Sequence, residues 1–108
     1  MERYQIAAPV SFEWLTRSGD WRKGNGVTRD ISSTGLFMLC YPVPVPGARI
    51  KLRVELPSVD IHNRPIVLRG EGKVVGIEPE IGQPVGCSVS AALDDSEEAN
   101  DGGPVRPG

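Results

Sequence analysis

Few residues in this chain are suited to metal or redox chemistry. Its 108 residues include two cysteines and one histidine, and Cys40 and Cys87 do not form a C-x-x-C pair. A structural zinc site needs four closely spaced nitrogen or sulfur ligands, and His62 cannot complete such a set with two isolated thiols. Each cysteine lies in an apolar stretch, where free cysteine is typically buried. The sequence therefore predicts no metal site, and two buried reduced thiols rather than a disulfide.

Long apolar runs are also lacking. No stretch approaches the roughly 18 apolar residues that a membrane span needs, and the first five residues do not resemble a signal peptide. We therefore expect a cytoplasmic protein that does not insert into a membrane. Glycine and proline, by contrast, contribute 13 and 10 residues. That abundance favours short strands joined by turns over long helices.

Catalytic motifs are missing as well. The sequence contains no G-x-S-x-G, no P-loop and no histidine pair with metal-ligand spacing. Asp30 could act as a general base only beside a second group that shares the acid and base roles, and its sequence neighbours offer none. We predict that the protein is not an enzyme.

Apolar and polar residues alternate in a way that predicts six strands. Gly70 and Gly72 share one register of the fifth, which indicates a strongly bent strand. We expect Trp14 and Trp21, which flank the first turn, to pack across that hairpin. Periodicity predicts a small antiparallel barrel or sandwich and does not decide between them. The six predicted strands are residues 9–16, 21–31, 36–41, 50–56, 66–77 and 85–91.

Composition divides the chain into three parts. Residues 1–8 precede the periodic pattern and are predicted to be a flexible N-terminal arm, residues 9–93 the folded domain, and residues 94–108 an acidic, Gly/Pro-rich disordered tail. The tail has five acidic residues and one basic, a net −4 within the total of −2, so residues 1–93 carry +2. A mildly basic body suits an anionic ligand.

Residues 28–38 contain the best candidate for a binding site. Asp30 and Ser32 alternate with an isoleucine, so on an extended backbone both project to the same face. Gly35 permits either positive φ or the close approach of another group. Asp30 could accept hydrogen bonds from a guanine edge. An ordinary turn held by Asp and Ser side chains explains this spacing equally well.

Two arginines could complete such a site. Arg29 carries a planar fork of donors that matches guanine or a phosphate. Arg3, on the predicted arm, could fold over the same end of the domain.

The run at residues 30–35, Asp-Ile-Ser-Ser-Thr-Gly, resembles the D/N-x-S-x-x-G motif of PilZ domains. Residues 46–47, the strand after them, and residues 70–75 and 86–89 fall where that family has its later strands. The resemblance covers about residues 3–92. It implies a six-stranded antiparallel β-barrel that receives the bacterial second messenger cyclic di-GMP.

The resemblance also implies roles for individual residues. In the family, the D/N-x-S-x-x-G turn reads a guanine edge, which carries over to Asp30, Ser32 and Gly35. An R-x-x-x-R motif on the arm grips phosphates and stacks on guanines. Arg3 matches its first arginine, but Ala7 stands at the second. Because a charge-assisted contact contributes roughly 1.5–3 kcal/mol, its loss predicts binding about ten- to a hundredfold weaker.

Two functions are compatible with this resemblance. The first is a signalling domain that binds cyclic di-GMP, with no other cofactor, and presents a changed surface to an unknown protein partner. The second is a nucleotide-independent PilZ-like adaptor in motility or envelope regulation, which Ala7 favours and the intact turn motif disfavours. DNA and RNA are not expected partners, because the body is only slightly basic and lacks interleaved exposed aromatic residues.

Overall fold

The chain folds as a closed antiparallel β-barrel. The computed structural model describes residues 3–57, 66–78 and 85–96, and these ranges contain no helix and therefore none that could span a membrane. The strands are β1 (Pro9–Leu15), β2 (Trp21–Ser32), β3 (Gly35–Tyr41), β4 (Arg49–Leu56), β5 (Ile66–Glu78), β6 (Val85–Ala91) and a short β7 (Asp94–Ser96). Six of them follow one another in the order β4-β1-β2-β3-β6-β5, and β4 pairs with β5 to close the barrel. This confirms the predicted six-stranded barrel and excludes a sandwich.

Alternate side chains of the six strands fill the barrel interior. On β4 these are Ile50, Leu52 and Val54, all buried, while the intervening charged residues lie outside. Full burial of one such side chain contributes about 1.5–3 kcal/mol, so the interior is the main source of stability. The other strands contribute Val10, Phe12, Trp14, Ile31, Leu36, Met38, Cys40, Val74, Cys87, Val89 and Ala91.

The fifth strand pairs with different neighbours along its length. Its residues 66–73 pair with β4, and its residues 72–78 pair with β6. A Cβ at Gly72 would lie closer than 3.0 Å to the backbone of β6, and one at Gly70 would lie 2.5 Å from the Ala92 carbonyl oxygen. Both glycines therefore permit a close approach of the neighbouring backbone, and the strong bend expected of this strand stays a prediction.

The expected packing of Trp14 against Trp21 is wrong. β1 and β2 pair so that Leu15 lies opposite Trp21, and Trp14 lies opposite Arg22. A one-residue offset places the two indoles on opposite faces of the sheet. Trp14 packs inside, with its ring centroid 5.9 Å from that of Phe12, whereas Trp21 lies outside.

The two cysteines are free and buried in the interior, as predicted. They lie on the neighbouring strands β3 and β6. A hydrogen bond with Cys40 and burial together raise the pKa of the Cys87 thiol above its ordinary value. The Cys87 thiol therefore stays protonated and unreactive at neutral pH.

The predictions for the tail and the arm have different outcomes. Residues 94–96, assigned to the tail, form β7, which pairs with residues 67–69 of β5. Residues 97–108 and His62 lie outside the described residues. The disorder of the tail and the flexibility of the arm stay predictions.

Candidate functional site

The arm lies along the last residues of β2. Tyr4 and Ile31 exchange two backbone hydrogen bonds, of 2.8 and 2.9 Å. The buried Thr28 hydroxyl donates to the Ile6 carbonyl oxygen at 2.6 Å and accepts from the Ala8 N–H at 2.9 Å. The Thr28 N–H donates to the Ala8 carbonyl oxygen at 2.9 Å. The arm is thus attached to one edge of the barrel wall at two points.

The side chains of the arm divide into a packed set and an exposed set. Ile6 is half-buried and Ala8 fully buried against the barrel, whereas Arg3, Tyr4 and Ala7 are exposed. Arg3 and Ala7, the two positions of the predicted arginine motif, therefore both face solvent on this segment.

An ion pair joins the arm to the turn motif. Arg3 Nη1 donates to Asp30 Oδ1 at 2.6 Å, with the arginine side chain 57% exposed and the aspartate 19% exposed. Two predicted site residues that are 27 positions apart in sequence are thereby brought together. Exposed ion pairs contribute only about 0–1 kcal/mol, so the contact can be exchanged for another at little cost.

The Ser32 side chain makes hydrogen bonds within the turn. Its buried hydroxyl accepts from the Thr34 N–H at 3.3 Å and lies 3.4 Å from the Gly35 carbonyl oxygen. The Ala91 N–H of β6 donates to the Thr34 carbonyl oxygen at 3.0 Å. The Ser32 side chain thus holds the shape of the turn, and the Asp30 carboxylate is the polar group that the motif presents beyond it.

Gly35 is required by close approach rather than by positive φ. The described residues with positive φ are two other glycines, Gly19 and Gly47. A Cβ at Gly35 would lie closer than 3.0 Å to the Val89 carbonyl oxygen of β6. Of the two roles predicted for this glycine, the structure therefore shows the second.

Arg29 is the extra residue of a β-bulge. The pairing of β2 with β3 steps from Thr28 opposite Met38 to Asp30 opposite Phe37. The bulge leaves two consecutive residues, Arg29 and Asp30, outside the interior, which strict alternation would not allow. The Arg29 guanidinium carbon lies 4.4 Å from the centre of the Phe37 ring. A planar cation is thus held over a ring beside the carboxylate.

Sequence reasoning missed two residues of this arrangement. Thr28 positions the arm, and Phe37 supports Arg29 from the outer wall of the barrel. A threonine in a strand gives no signal that its hydroxyl will satisfy another segment. Phe37 lies in a wholly apolar run, so its outward direction was not visible from the sequence.

A small pocket opens beneath the arm. Its volume is about 240 Å³, and its walls are mostly apolar, with two serines of the turn at one side. Such walls suit the face of a planar ring better than a charged group. The pocket is lined by Tyr4, Ile6, Ile31, Ser32, Ser33, Leu56, Leu68 and Leu93.

The charged groups of this site are suited to binding a ligand. The guanidinium groups of Arg3 and Arg29 act only as donors, whereas an ionised Asp30 acts only as an acceptor. One carboxylate with two guanidinium groups can recognise a ligand that combines hydrogen-bond donors, planar rings and negative charge.

Comparison with known proteins gives one similar fold. No protein-family model matches the sequence, and no curated protein matches it. The crystal structure of the PilZ domain of CeSA from a cellulose-synthesizing bacterium is similar over 83% of this chain and 80% of that chain, with 17% sequence identity and a TM-score of 0.48. At this level of similarity no role is transferred to any residue.

Proposed function

We propose that this chain is a PilZ-like signalling domain that binds cyclic di-GMP with Asp30 and the arm that carries Arg3. The observation that carries the proposal is the 2.6 Å contact between Arg3 Nη1 and Asp30 Oδ1. This contact joins one residue of each of the two motifs that the sequence resembles, across 27 positions of the chain. The domain is a cytoplasmic binding module rather than an enzyme, and an unidentified protein reads its bound state.

In this proposal a guanine edge takes the place of Arg3 at Asp30. The carboxylate accepts from the N1–H and N2–H₂ groups of the base. The released Arg3 guanidinium then contacts a phosphate or stacks on a ring. Arg29, held over Phe37, provides a second planar cation next to the same carboxylate.

Binding in this proposal is weak because Ala7 replaces the second arginine of the arm motif. Ala7 is exposed, as is Arg3. An arginine there would add a fork of donors and a stacking plane, and its absence removes roughly 1.5–3 kcal/mol of interaction.

Calorimetric titration with cyclic di-GMP tests the proposal. Wild-type protein should give saturable heat, and Asp30→Ala and Arg3→Ala should each weaken binding by about tenfold or more. Asp20→Ala is the matched control, because Asp20 is an exposed carboxylate just before β2, at the opposite end of that strand from Asp30, and should leave binding unchanged. Absent heat at millimolar ligand, or equal binding by all variants, would refute the proposal.

Restoring the motif gives a gain-of-function test. Ala7→Arg should tighten binding about ten- to a hundredfold, because the position is exposed and accommodates the longer side chain. Ala7→Lys should gain less, since it adds charge without a planar fork, and Ala7→Gln should gain almost nothing. Equal affinities for all three variants would show that the arm does not contact the ligand as proposed.

A second candidate is the nucleotide-independent adaptor. Its support is that the contacts of Thr28, Tyr4 and Arg3 that position the arm are all made between protein groups, so this surface does not require a ligand to form. Recovery of the same protein partner in the presence and absence of cyclic di-GMP would favour the adaptor. Recovery that depends on the nucleotide would favour the receptor.

A further inference from the structure

An open groove lies at the opposite end of β1 from the arm. It has a volume of about 740 Å³ and runs between residues 15–18, where β1 ends and the first turn begins, and residues 45–49, which lead into β4. We call it the hairpin groove. Its volume falls in the range of about 300–1,000 Å³ that is typical of small-molecule sites. The hairpin groove shares no residue with the proposed cyclic di-GMP site.

Apolar side chains form most of the walls of the hairpin groove. Leu15 lies on one side, and Val45, Pro46 and Ala48 lie on the other. Leu15 and Ala48 are half-buried, whereas Val45 and Pro46 are exposed. A hydrocarbon chain that covers such walls removes apolar surface from water, which is favourable. The groove therefore suits a ligand with a hydrocarbon portion.

The backbone on both sides of the groove is already hydrogen-bonded within the protein. In the first turn, the Thr16 N–H donates to the Asp20 carbonyl oxygen at 2.8 Å, and the Thr16 carbonyl oxygen accepts from the Gly19 N–H at 3.0 Å. On the other side, the N–H and the carbonyl oxygen of Ala48 are both bonded, at 3.0 and 2.9 Å. A bound peptide needs partners for its own backbone groups, whereas an acyl chain needs none. These walls therefore favour an acyl chain over a peptide.

Two exposed guanidinium groups give the hairpin groove its charge. Arg17 and Arg49 line it, and among the described residues no carboxylate does. Arg49 Nη2 lies 3.6 Å from Glu71 Oε2, with both side chains more than half exposed, and such a contact is readily exchanged for another. The Asp20 carboxylate of the turn accepts from the Ser18 hydroxyl at 3.3 Å, outside the groove lining. Apolar walls are thus combined with two cations.

We propose that the hairpin groove binds a single amphiphilic anion, an acyl chain that carries a carboxylate or phosphate head group. The chain lies against Leu15, Val45 and Pro46, and the head group contacts Arg17 and Arg49. The planar fork of an arginine matches the oxygens of either head group. A bilayer would present head groups to the two cations but keep its acyl chains in the hydrocarbon core, which would leave the apolar walls uncovered.

Calorimetric titration of the full chain with decanoate, below its micelle concentration, tests this proposal. Decanoate should give saturable heat. It should bind about four- to fifteenfold more tightly than octanoate, because each fully buried methylene tightens binding about fourfold. Decyltrimethylammonium, which has the same chain length and the opposite charge, should show no saturable binding.

Variants of the cations and of the apolar wall provide matched comparisons. Arg17→Gln with Arg49→Gln should weaken decanoate binding about tenfold or more, because both charge-assisted contacts are lost. Arg22→Gln, which changes an exposed arginine of β2 outside the groove lining, should leave binding unchanged. Val45→Asp should abolish binding, whereas Val27→Asp should not, although the two valines are 48% and 47% exposed.

Three results would overturn the proposal. The first is the absence of saturable heat with decanoate, and the second is equal binding of decanoate and decyltrimethylammonium. The third is binding to vesicles of phosphatidylglycerol and phosphatidylcholine without binding of decanoate, because the groove would then be part of a membrane-docking surface. Equal affinities of the groove variants and their controls would likewise place the ligand elsewhere on the protein.

Discussion

Replacing Thr28 with valine should detach the arm from the barrel at one defined point. The Thr28 hydroxyl donates to the Ile6 carbonyl oxygen at 2.6 Å and accepts from the Ala8 N–H at 2.9 Å. Valine has nearly the same shape but offers neither contact. The backbone hydrogen bond from the residue 28 N–H to the Ala8 carbonyl oxygen remains, so the change removes the hydroxyl contacts alone.

The size of the effect follows from burial. Ala8 is fully buried, so its N–H has no water to replace the lost acceptor. A buried donor without a partner costs about 1–3 kcal/mol. Ile6 is only partly buried, and its carbonyl can turn to water at lower cost. We therefore expect Thr28→Val to lower the free energy of unfolding by about 2 kcal/mol.

Urea denaturation with amide hydrogen exchange measures this effect. Thr28→Ser, which keeps the hydroxyl and loses one methyl group, should cost about 1 kcal/mol and leave the Ala8 amide protected. The valine variant should expose that amide to exchange without global unfolding. A valine variant as stable as wild type, with a protected Ala8 amide, would refute the assigned role of the hydroxyl.

Three further results are expected. Gly35→Ala should destabilise the barrel by about 1–3 kcal/mol in urea denaturation, because its Cβ would meet the β6 backbone. Gly76→Ala, with open space around the glycine, should change the free energy of unfolding by less than about 0.5 kcal/mol. Equal losses of stability in the two variants would contradict this account. Arg3→Ala should lower the free energy of unfolding by less than about 1 kcal/mol, since the ion pair with Asp30 is largely exposed on the arginine side; a larger loss would show that the pair is structural. A thiol reagent at pH 8 should leave both cysteines of the native protein unmodified, because both thiols are buried. In urea the same reagent should modify two cysteines per chain. Rapid labelling of the native protein would contradict the buried arrangement.

The strands were predictable from local pattern, and the closure of the barrel was not. The alternation over β4 gives the inward set of Ile50, Leu52 and Val54 directly. β4 pairs with the next strand in sequence, β5, and also with β1, which lies far from it in sequence, and periodicity does not encode this second pairing. Register was equally hidden, and the expected Trp14–Trp21 contact failed because the observed pairing is offset by one residue.

The candidate site was predictable in its parts and not in its assembly. Asp30, Ser32 and Gly35 were visible in the sequence as a motif. Only the structure shows that their roles differ, because the Asp30 carboxylate contacts the arm, whereas the Ser32 hydroxyl and Gly35 shape the turn. The bulge at Arg29 breaks the alternation that sequence reasoning assumes. The contact between Arg3 and Asp30 depends on how the arm lies on the barrel, and no local pattern specifies that.

A two-dimensional NMR titration of the isotope-enriched full-length chain with cyclic di-GMP tests the central claim most directly, because it reports where the ligand binds as well as whether it binds. We predict saturable shifts confined to residues 3–8, residues 28–35 and the other residues that line the pocket beneath the arm, with the amides of residues 49–54 of β4 unmoved, and loss of these shifts in Asp30→Ala. The absence of shifts at millimolar ligand, or shifts centred on β4 and unaffected by Asp30→Ala, would contradict the assignment of Asp30 and the arm as the binding site.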